Sequence, residues 1–468
     1  MTAVSAEPLN GHLGFWMANL QPEHLSQPRF EGEDTIDLAI IGGGLTGLWA
    51  AYFAKSLDPS LSIAVLEAER IGYGASGRNG GWASALVPGN RARFARAAAE
   101  GKSASIALQQ EFIRSVDGML DTLGGEGIQA DQHKGGTLSA AHTEAGLQRL
   151  LDKRQADLSY GYAPEQVQVL DRQEFKNLIN IDDVHGGLFY PDVARIDPAK
   201  LVHGLAGVLE SKGVRLYESS RVLSVENGTV TLEAGRVRAP MAFICTEGYS
   251  APLLGPRRLI PINSSMIVTQ RLDDRDWEHI GWNGLQCLND SAHAFIYAQR
   301  TADSRIAIGG RGMPYRFASG TGGHGRTSEA TVRQLLQKLH RFFPGIEFRA
   351  EHAWSGVLGV TRDWNASVTW DPGSGVGASV GYAGHGVTSA FVGARTLAEL
   401  ALGHKTERTQ LPWVGYRSRS WEPEPIRWLG VHAMYRLFGI ADAWEEWRGS
   451  AKTSALAKFG SRLAGLHE

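Results

Sequence analysis

Apolar residues in this chain fall in short blocks of four or five, divided by glycine-rich turns and by longer stretches with helical spacing. The clearest run of blocks starts at Ile36, where Ile36, Leu38, Ala39, Ile40 and Ile41 predict a buried strand. Gly42-Gly43-Gly44-Leu45-Thr46-Gly47 then predicts a turn, and Leu48-Trp49-Ala50-Ala51-Tyr52-Phe53-Ala54 a helix. A second strand follows at 62–66 and ends in Glu67, about 20 residues past the last glycine. Strand, helix and strand in this order make a βαβ unit with parallel strands. Further on, Asp197-Pro198 has the residue types that start a helix, predicted over 199–212. Short strands are predicted at 214–217, 221–225, 229–233 and 238–248, and again at 262–269, 294–298 and 305–312. A helix at 328–342, with Leu335, Leu336 and Leu339 on one face, reads as scaffold. A last buried strand, 376–382, passes through Gly381-Tyr382-Ala383-Gly384-His385-Gly386-Val387-Thr388 into a helix at 389–402, and an amphipathic, aromatic-rich stretch covers 434–447.

The first glycines have a chemical use. Gly42 permits the tight turn, Gly44 admits a pyrophosphate close to the backbone, and Gly47 lets the helix pack on the strand. The helix N-terminus then faces the phosphates, and Glu67 is placed to accept from a ribose hydroxyl. This is a complete dinucleotide-binding fingerprint. A nicotinamide-binding chain normally enters another βα unit next, whereas here Gly74-Ala75-Ser76-Gly77-Arg78-Asn79-Gly80-Gly81 forms a second small-residue loop. Such a loop suits the extended FAD molecule, with Ser76 and Asn79 reaching phosphate and flavin edge and Arg78 offsetting charge. The helix that follows Gly384-His385-Gly386 would aim its N-terminus at the flavin and stabilise negative charge on its reduced form.

Composition narrows the class without adding chemistry. At 468 residues the chain suits two interleaved domains. With 43% apolar residues, 21% charged residues and a net charge of −2, it has no electrostatic case for nucleic acid or an anionic membrane as main partner. Its two cysteines, Cys245 and Cys287, have neither metal-ligand nor redox-pair spacing, and Cys245 reads as inert core. The first 20 residues lack the basic and apolar regions of a signal peptide, and no segment reaches the roughly 20 apolar residues of a membrane span. The default expectation is a cytoplasmic enzyme.

These three glycine-rich segments resemble those of the D-amino acid oxidase superfamily of flavoenzymes. The middle loop is most similar to the gamma-glutamylputrescine oxidase-like branch. The resemblance runs from about Ile36 to about Leu402 and implies an α/β (α+β) fold, with a Rossmann-type FAD-binding domain interleaved with a substrate domain on a mixed or antiparallel sheet. It assigns 36–90, 190–250 and 350–405 to the FAD-binding domain, 91–189 and 251–349 to the substrate domain and helical insertions, and 406–468 to a C-terminal extension. Gly42, Gly44, Leu45, Thr46, Gly47, Glu67 and Ala68 would hold FAD, as would Gly74, Ala75, Ser76, Arg78, Asn79, Gly80 and Gly81. Val222, Thr246, Gly248 and Gly356 join them, followed by Gly384, His385, Gly386, Val387 and Thr388. Glu247 stands where relatives commonly carry Asn or Ala.

The implied activity is oxidation of the C–N bond of a small amine, by hydride transfer to flavin N5 and hydrolysis of the resulting imine, with O2 or another electron acceptor. No acid–base residue is strictly required; His385, Tyr297 and His352 are candidates by residue type. Trp82, Tyr297, Arg311 and Arg362 are the candidates for substrate contact. Sarcosine oxidase-like relatives attach flavin to a Cys near the segment corresponding to Ala353-Trp354-Ser355-Gly356, where this chain has none, so noncovalent FAD is expected. They also carry a Lys just after the Gly-His-Gly turn, where this chain has Val387-Thr388, and a Lys linked to oxygen activation is missing from 305–312. The Trp-rich tail resembles that of a subgroup of aminophosphonate oxidoreductases, implying an anionic amine substrate held by Arg311, Arg316 or Arg362. A tail packed over an apolar patch, a dimer interface or a membrane-surface helix is the alternative use of that segment. Alternative activities are a gamma-glutamylputrescine-type or amino acid oxidase and a flavin-dependent enzyme modifying tRNA.

Overall fold

The computed structural model describes residues 8–20, 26–310, 312, 314–448, 450 and 452–464. The predicted βαβ unit forms the centre of a six-stranded sheet, ordered Arg215–Tyr217, Ile63–Leu66, Leu38–Ile41, Met241–Ile244, Val376–Val380 and Ser367–Asp371. All neighbours are parallel except the last pair. The central strands Leu38–Ile41 and Ile63–Leu66 are buried at every position because both faces are covered, so their sequences are continuous apolar runs. On one face the helices Leu45–Leu57 and Gly386–Ala401 pack together, with Trp49 and Phe53 edge-on to Phe391 at 4.9 and 5.1 Å. The other face is closed by a four-stranded sheet, Val222–Glu226, Thr229–Leu232, Gly235–Arg238 and Gly32–Thr35, through Val230, Leu232 and Val237.

A nine-stranded mixed sheet forms the second layer system. Its longest pairing joins Ile260–Thr269 to Ala350–Val360, antiparallel from Ile260 opposite Val360. The scaffold helix, Glu329–Phe342, is capped by Ser328 accepting from the Thr331 amide and buries Leu335, Leu339 and Phe342 against this sheet.

Local differences from the sequence reading have local causes. Ala350–Val360, grouped with the FAD-binding domain by sequence, belongs to the nine-stranded sheet. The run at 238–248 is two strands, Gly235–Arg238 and Met241–Ile244, divided at Ala239-Pro240, since proline cannot donate to a ladder. The late helix begins at Gly386, three residues early, and Ser389 donates its hydroxyl to the His385 carbonyl one turn back rather than capping a start of its own. The C-terminal helix spans Ile426–Arg448, and the Glu424 carboxylate accepts from the Trp428 amide at 3.1 Å in its first turn. No helix among the described residues is long and apolar enough to cross a membrane.

Candidate functional site

A cavity of about 510 Å³ lies between the carboxyl ends of the parallel strands and the nine-stranded sheet. Its first border is the turn after Leu38–Ile41. Gly42 has φ +108°, and a Cβ there would stand 2.8 Å from the Cys245 carbonyl oxygen, while one on Gly47 would stand 2.0 Å from the Gly42 oxygen. Both positions therefore demand glycine for close backbone approach. The Glu67 carboxylate accepts from the amides of Gly43 at 2.7 Å and Glu69 at 2.9 Å, so it closes the turn that it borders. Desolvation pushes its carboxyl above the usual range.

The second glycine loop is tied to the first. The Leu45 amide donates to the Ser76 hydroxyl at 2.8 Å. Asn79 holds the loop itself, donating to the Ser76 carbonyl at 2.7 Å and accepting from the Gly81 amide at 2.7 Å. Arg78 is buried; it donates to the carbonyls of Tyr73 and His12 and lies 4.3 Å over the Tyr73 ring. Among the described residues it has no carboxylate partner, so its charge is offset by dipoles and a ring face alone. A cation held this way favours an anionic group in the adjoining cavity.

The late turn is held by a carboxylate from the neighbouring strand end. Glu247, itself at φ +43°, accepts from the Gly381 and Tyr382 amides, each at 2.9 Å. Burial raises its carboxyl to about 7 against the pull of these amides. The side chain knits the end of Met241–Ile244 to the end of Val376–Val380, which gives the unexpected glutamate a structural use. His385 occupies the N-cap of the late helix without a side-chain cap bond, and desolvation holds its imidazole near 4, neutral at neutral pH.

Nearly all the sequence-selected cofactor residues border this one cavity: Gly42 to Thr46 without Gly43, then Glu67, Ala68, Gly74, Ala75, Ser76, Arg78, Asn79 and Gly80, then Val222, Thr246, Gly248 and Gly356, and the turn Gly384 to Val387. Three do not. Gly47 serves packing, Thr388 is buried in the first helical turn, and Gly81 admits the Gln299 side chain, which donates to the Gly80 carbonyl at 2.7 Å.

The opposite wall belongs to the nine-stranded sheet. The Tyr297 ring passes between two glycines: a Cβ on Gly309 would stand 2.2 Å from its Cζ, and one on Gly80 would stand 2.8 Å from the ring. Its hydroxyl shares a 2.8 Å hydrogen bond with Ser264, and Trp82 stands edge-on at 6.3 Å. Arg362 is not brought here. Its Nε donates to both Glu422 oxygens at 2.9 and 3.0 Å, and its guanidinium lies over Trp421. His352 is likewise elsewhere, against Phe15 at 5.5 Å on a strand paired on both sides, with Leu9 and Val268 as its neighbours. Arg311 lies outside the described residues. Sequence reading missed Phe295, His324, Trp364 and Tyr435, which also border the cavity. They come from loops and from the C-terminal helix, where no short motif marks them.

The arrangement fits FAD. Two helix N-termini, at Gly44 and at His385, face the cavity with no capping bond from the N-cap residue itself, and such ends stabilise phosphate and developing negative charge. The Trp82 indole N–H, on the cavity border, is buried without a protein partner among the described residues. By the expected roles, Glu67 and Val222 would hold the adenosine end of FAD and the His385 turn the flavin end.

Comparison with known proteins agrees. The family model described as FAD dependent oxidoreductase matches residues 37–400. A probable oxidoreductase OrdL of Rhizobium meliloti (strain 1021) is 29% identical over 411 residues, covering 84% of this chain and 89% of the relative. A gamma-glutamylputrescine oxidoreductase of Escherichia coli (strain K12) is 27% identical over 377 residues, covering 79% and 84%. The crystal structure of glycine oxidase from Geobacillus kaustophilus shares the fold, with a TM-score of 0.65 at 19% identity over 80% of this chain and 96% of that one. The chain belongs to the FAD dependent oxidoreductase family, and FAD is the cofactor its glycine-bordered cavity is built to take.

Proposed function

We propose that this enzyme oxidises the C–N bond of a small aliphatic amine. The observation that carries the reading is a single cavity bordered by two helix N-termini and by Tyr297 of the nine-stranded sheet, with Trp82 of a separate short strand edge-on to Tyr297. Bound FAD supplies the hydride acceptor. The chain's own residues position the amine, exclude water and favour the negative charge that develops at the His385 end. His385 stands at that end, at the N-cap of the late helix, on the cavity border. The Tyr297–Ser264 hydroxyl pair lies on the substrate wall, where it can orient a polar group through hydrogen bonding.

For the substrate, an elongated amine of the gamma-glutamylputrescine type is favoured over an aminophosphonate. One of the three arginines expected to hold an anionic end, Arg362, is engaged by the Glu422 carboxylate. The named relative adds support. The test is anaerobic flavin bleaching with primary and N-methyl amines in neutral, carboxylate and phosphonate versions. Bleaching by the long neutral or carboxylate amines supports the reading, and bleaching by phosphonates alone replaces it with the aminophosphonate one. Failure of every amine removes C–N oxidation. Denaturation should release FAD, as noncovalent attachment requires, and turnover in air with or without peroxide would distinguish O2 from another acceptor.

A further inference from the structure

The family model ends at residue 400, yet the cavity does not. Tyr435, on the C-terminal helix Ile426–Arg448, borders the same space as the glycine turns. That helix is fastened at both ends, and each fastening holds a loop that supplies a cavity residue. Near its start, Glu424 accepts from the Tyr315 hydroxyl at 2.7 Å and the Ala318 amide at 3.1 Å, and His432 Nε2 is 2.9 Å from the Tyr315 carbonyl oxygen. The segment so held continues to Thr321 and His324 in the cavity border. Near its end, Asp442 accepts from the amides of His293 and Ala294 at 2.9 and 3.0 Å, and Phe438 stacks on the His293 ring at 5.8 Å. The next residue, Phe295, is again in the border. Tyr435 lies between the two fastenings.

We infer that the C-terminal helix is the outer wall of the substrate end and that Tyr435 is a specificity-determining residue, setting how bulky an amine the cavity accepts. This rests on the amine-oxidation reading above. In the ordinary case an extension beyond a family segment packs on an outer surface and leaves the site alone. Here it contributes a side chain and orders two of the loops that shape the wall.

The experiment uses the full chain with FAD bound. Tyr435→Ala should keep the bound-flavin spectrum and shift the ratio of kcat/KM between bulky and small amines about tenfold toward the bulky ones, the size of effect one pocket contact commands. Tyr435→Trp should shift it the other way, and Tyr435→Phe should leave it within about twofold, because volume is the property used. Calorimetric titration with a non-reacting amine analogue should show the same order of affinities. Ratios and affinities that stay within about twofold in both Tyr435→Ala and Tyr435→Trp would overturn the assignment. Separately, Asp442→Ala should raise amide hydrogen exchange in 291–297 by about tenfold, the loss of local protection expected when two loop amides lose their acceptor. Unchanged exchange would overturn the ordering role. If no amine reduces the wild-type flavin, the proposed activity falls while the exchange result still decides whether this helix shapes the wall.

Discussion

At the cofactor end of the cavity the working groups are mostly main-chain: turn amides, two helix N-termini and the close approaches of Gly42 and Gly47. At the substrate end they are side chains, gathered from Trp82, Phe295, Tyr297, Trp364 and Tyr435 across more than half of the chain. Backbone geometry is set within a few consecutive residues and tolerates almost no added atoms. A wall of side chains can change one residue at a time while the fold stands. The same molecule therefore has an end that resists substitution and an end that invites it.

The largest test of that contrast is Gly47→Ala. The new methyl would stand 2.0 Å from the Gly42 oxygen, which is backbone and has no room to yield. We expect a loss of about 3 kcal/mol of stability and of FAD binding, read by thermal unfolding and flavin content. A variant of normal stability with full FAD would break the contrast at its strongest point.

Glu247→Gln sharpens it, since here a side chain does main-chain work. An amide offers one acceptor oxygen where the carboxylate serves two N–H donors, so a loss of about 2 kcal/mol is expected in thermal unfolding at neutral pH. Burial puts the folded-state pKa near 7, above that of an unfolded glutamate. The folded chain thus holds the extra proton, and this contribution is full in acid and is lost as pH rises from below 5 through 7, up to about 3 kcal/mol. The variant should flatten that part of the stability profile, and an unchanged slope would assign it to other groups.

Gly309→Ala tests the substrate side. A methyl there meets the Tyr297 ring at 2.2 Å, so the ring must leave its place between the glycines. The expected result is a fall of about tenfold in kcat/KM with FAD retained, in keeping with the cost of misplacing a positioning group. The smallest effect is expected from Arg362→Ala. Its partner is the partly exposed Glu422, so stability should change by about 1 kcal/mol or less and relative kcat/KM values for anionic and neutral amines should not move. A collapse of activity toward anionic amines alone would return Arg362 to the substrate.

The two ends also differ in how far the sequence discloses them. Gly42 to Gly47, Glu67 and the two later glycine turns announce themselves because each needs a fixed spacing along one short segment. Tyr297 was legible as a candidate from its strand, although the glycines that make room for it, Gly80 and Gly309, are far apart in the chain. Arg362 and His352 were named by residue type, and type says nothing of the neighbours that claimed them. Trp364, at φ +67°, and Tyr435 had no spacing to betray them, since their place follows from how a loop and a late helix close over the sheet. Glu247 stood out as an oddity, and its use became visible with the Gly381 turn beside it.

Tyr297 and Gln299, two residues apart on one strand, both engage Gly80, one by ring contact and one by a hydrogen bond. The strand of the substrate wall is thus a fixed gauge for the cofactor loop. Anyone grafting a different substrate sheet onto this FAD-binding half would need to carry the matched set across the join: Tyr297 and Gln299 on one side, Gly80 and Gly81 on the other. A chimera that kept every cofactor motif but lost that gauge would hold flavin at an unregulated distance from whatever the new wall presents.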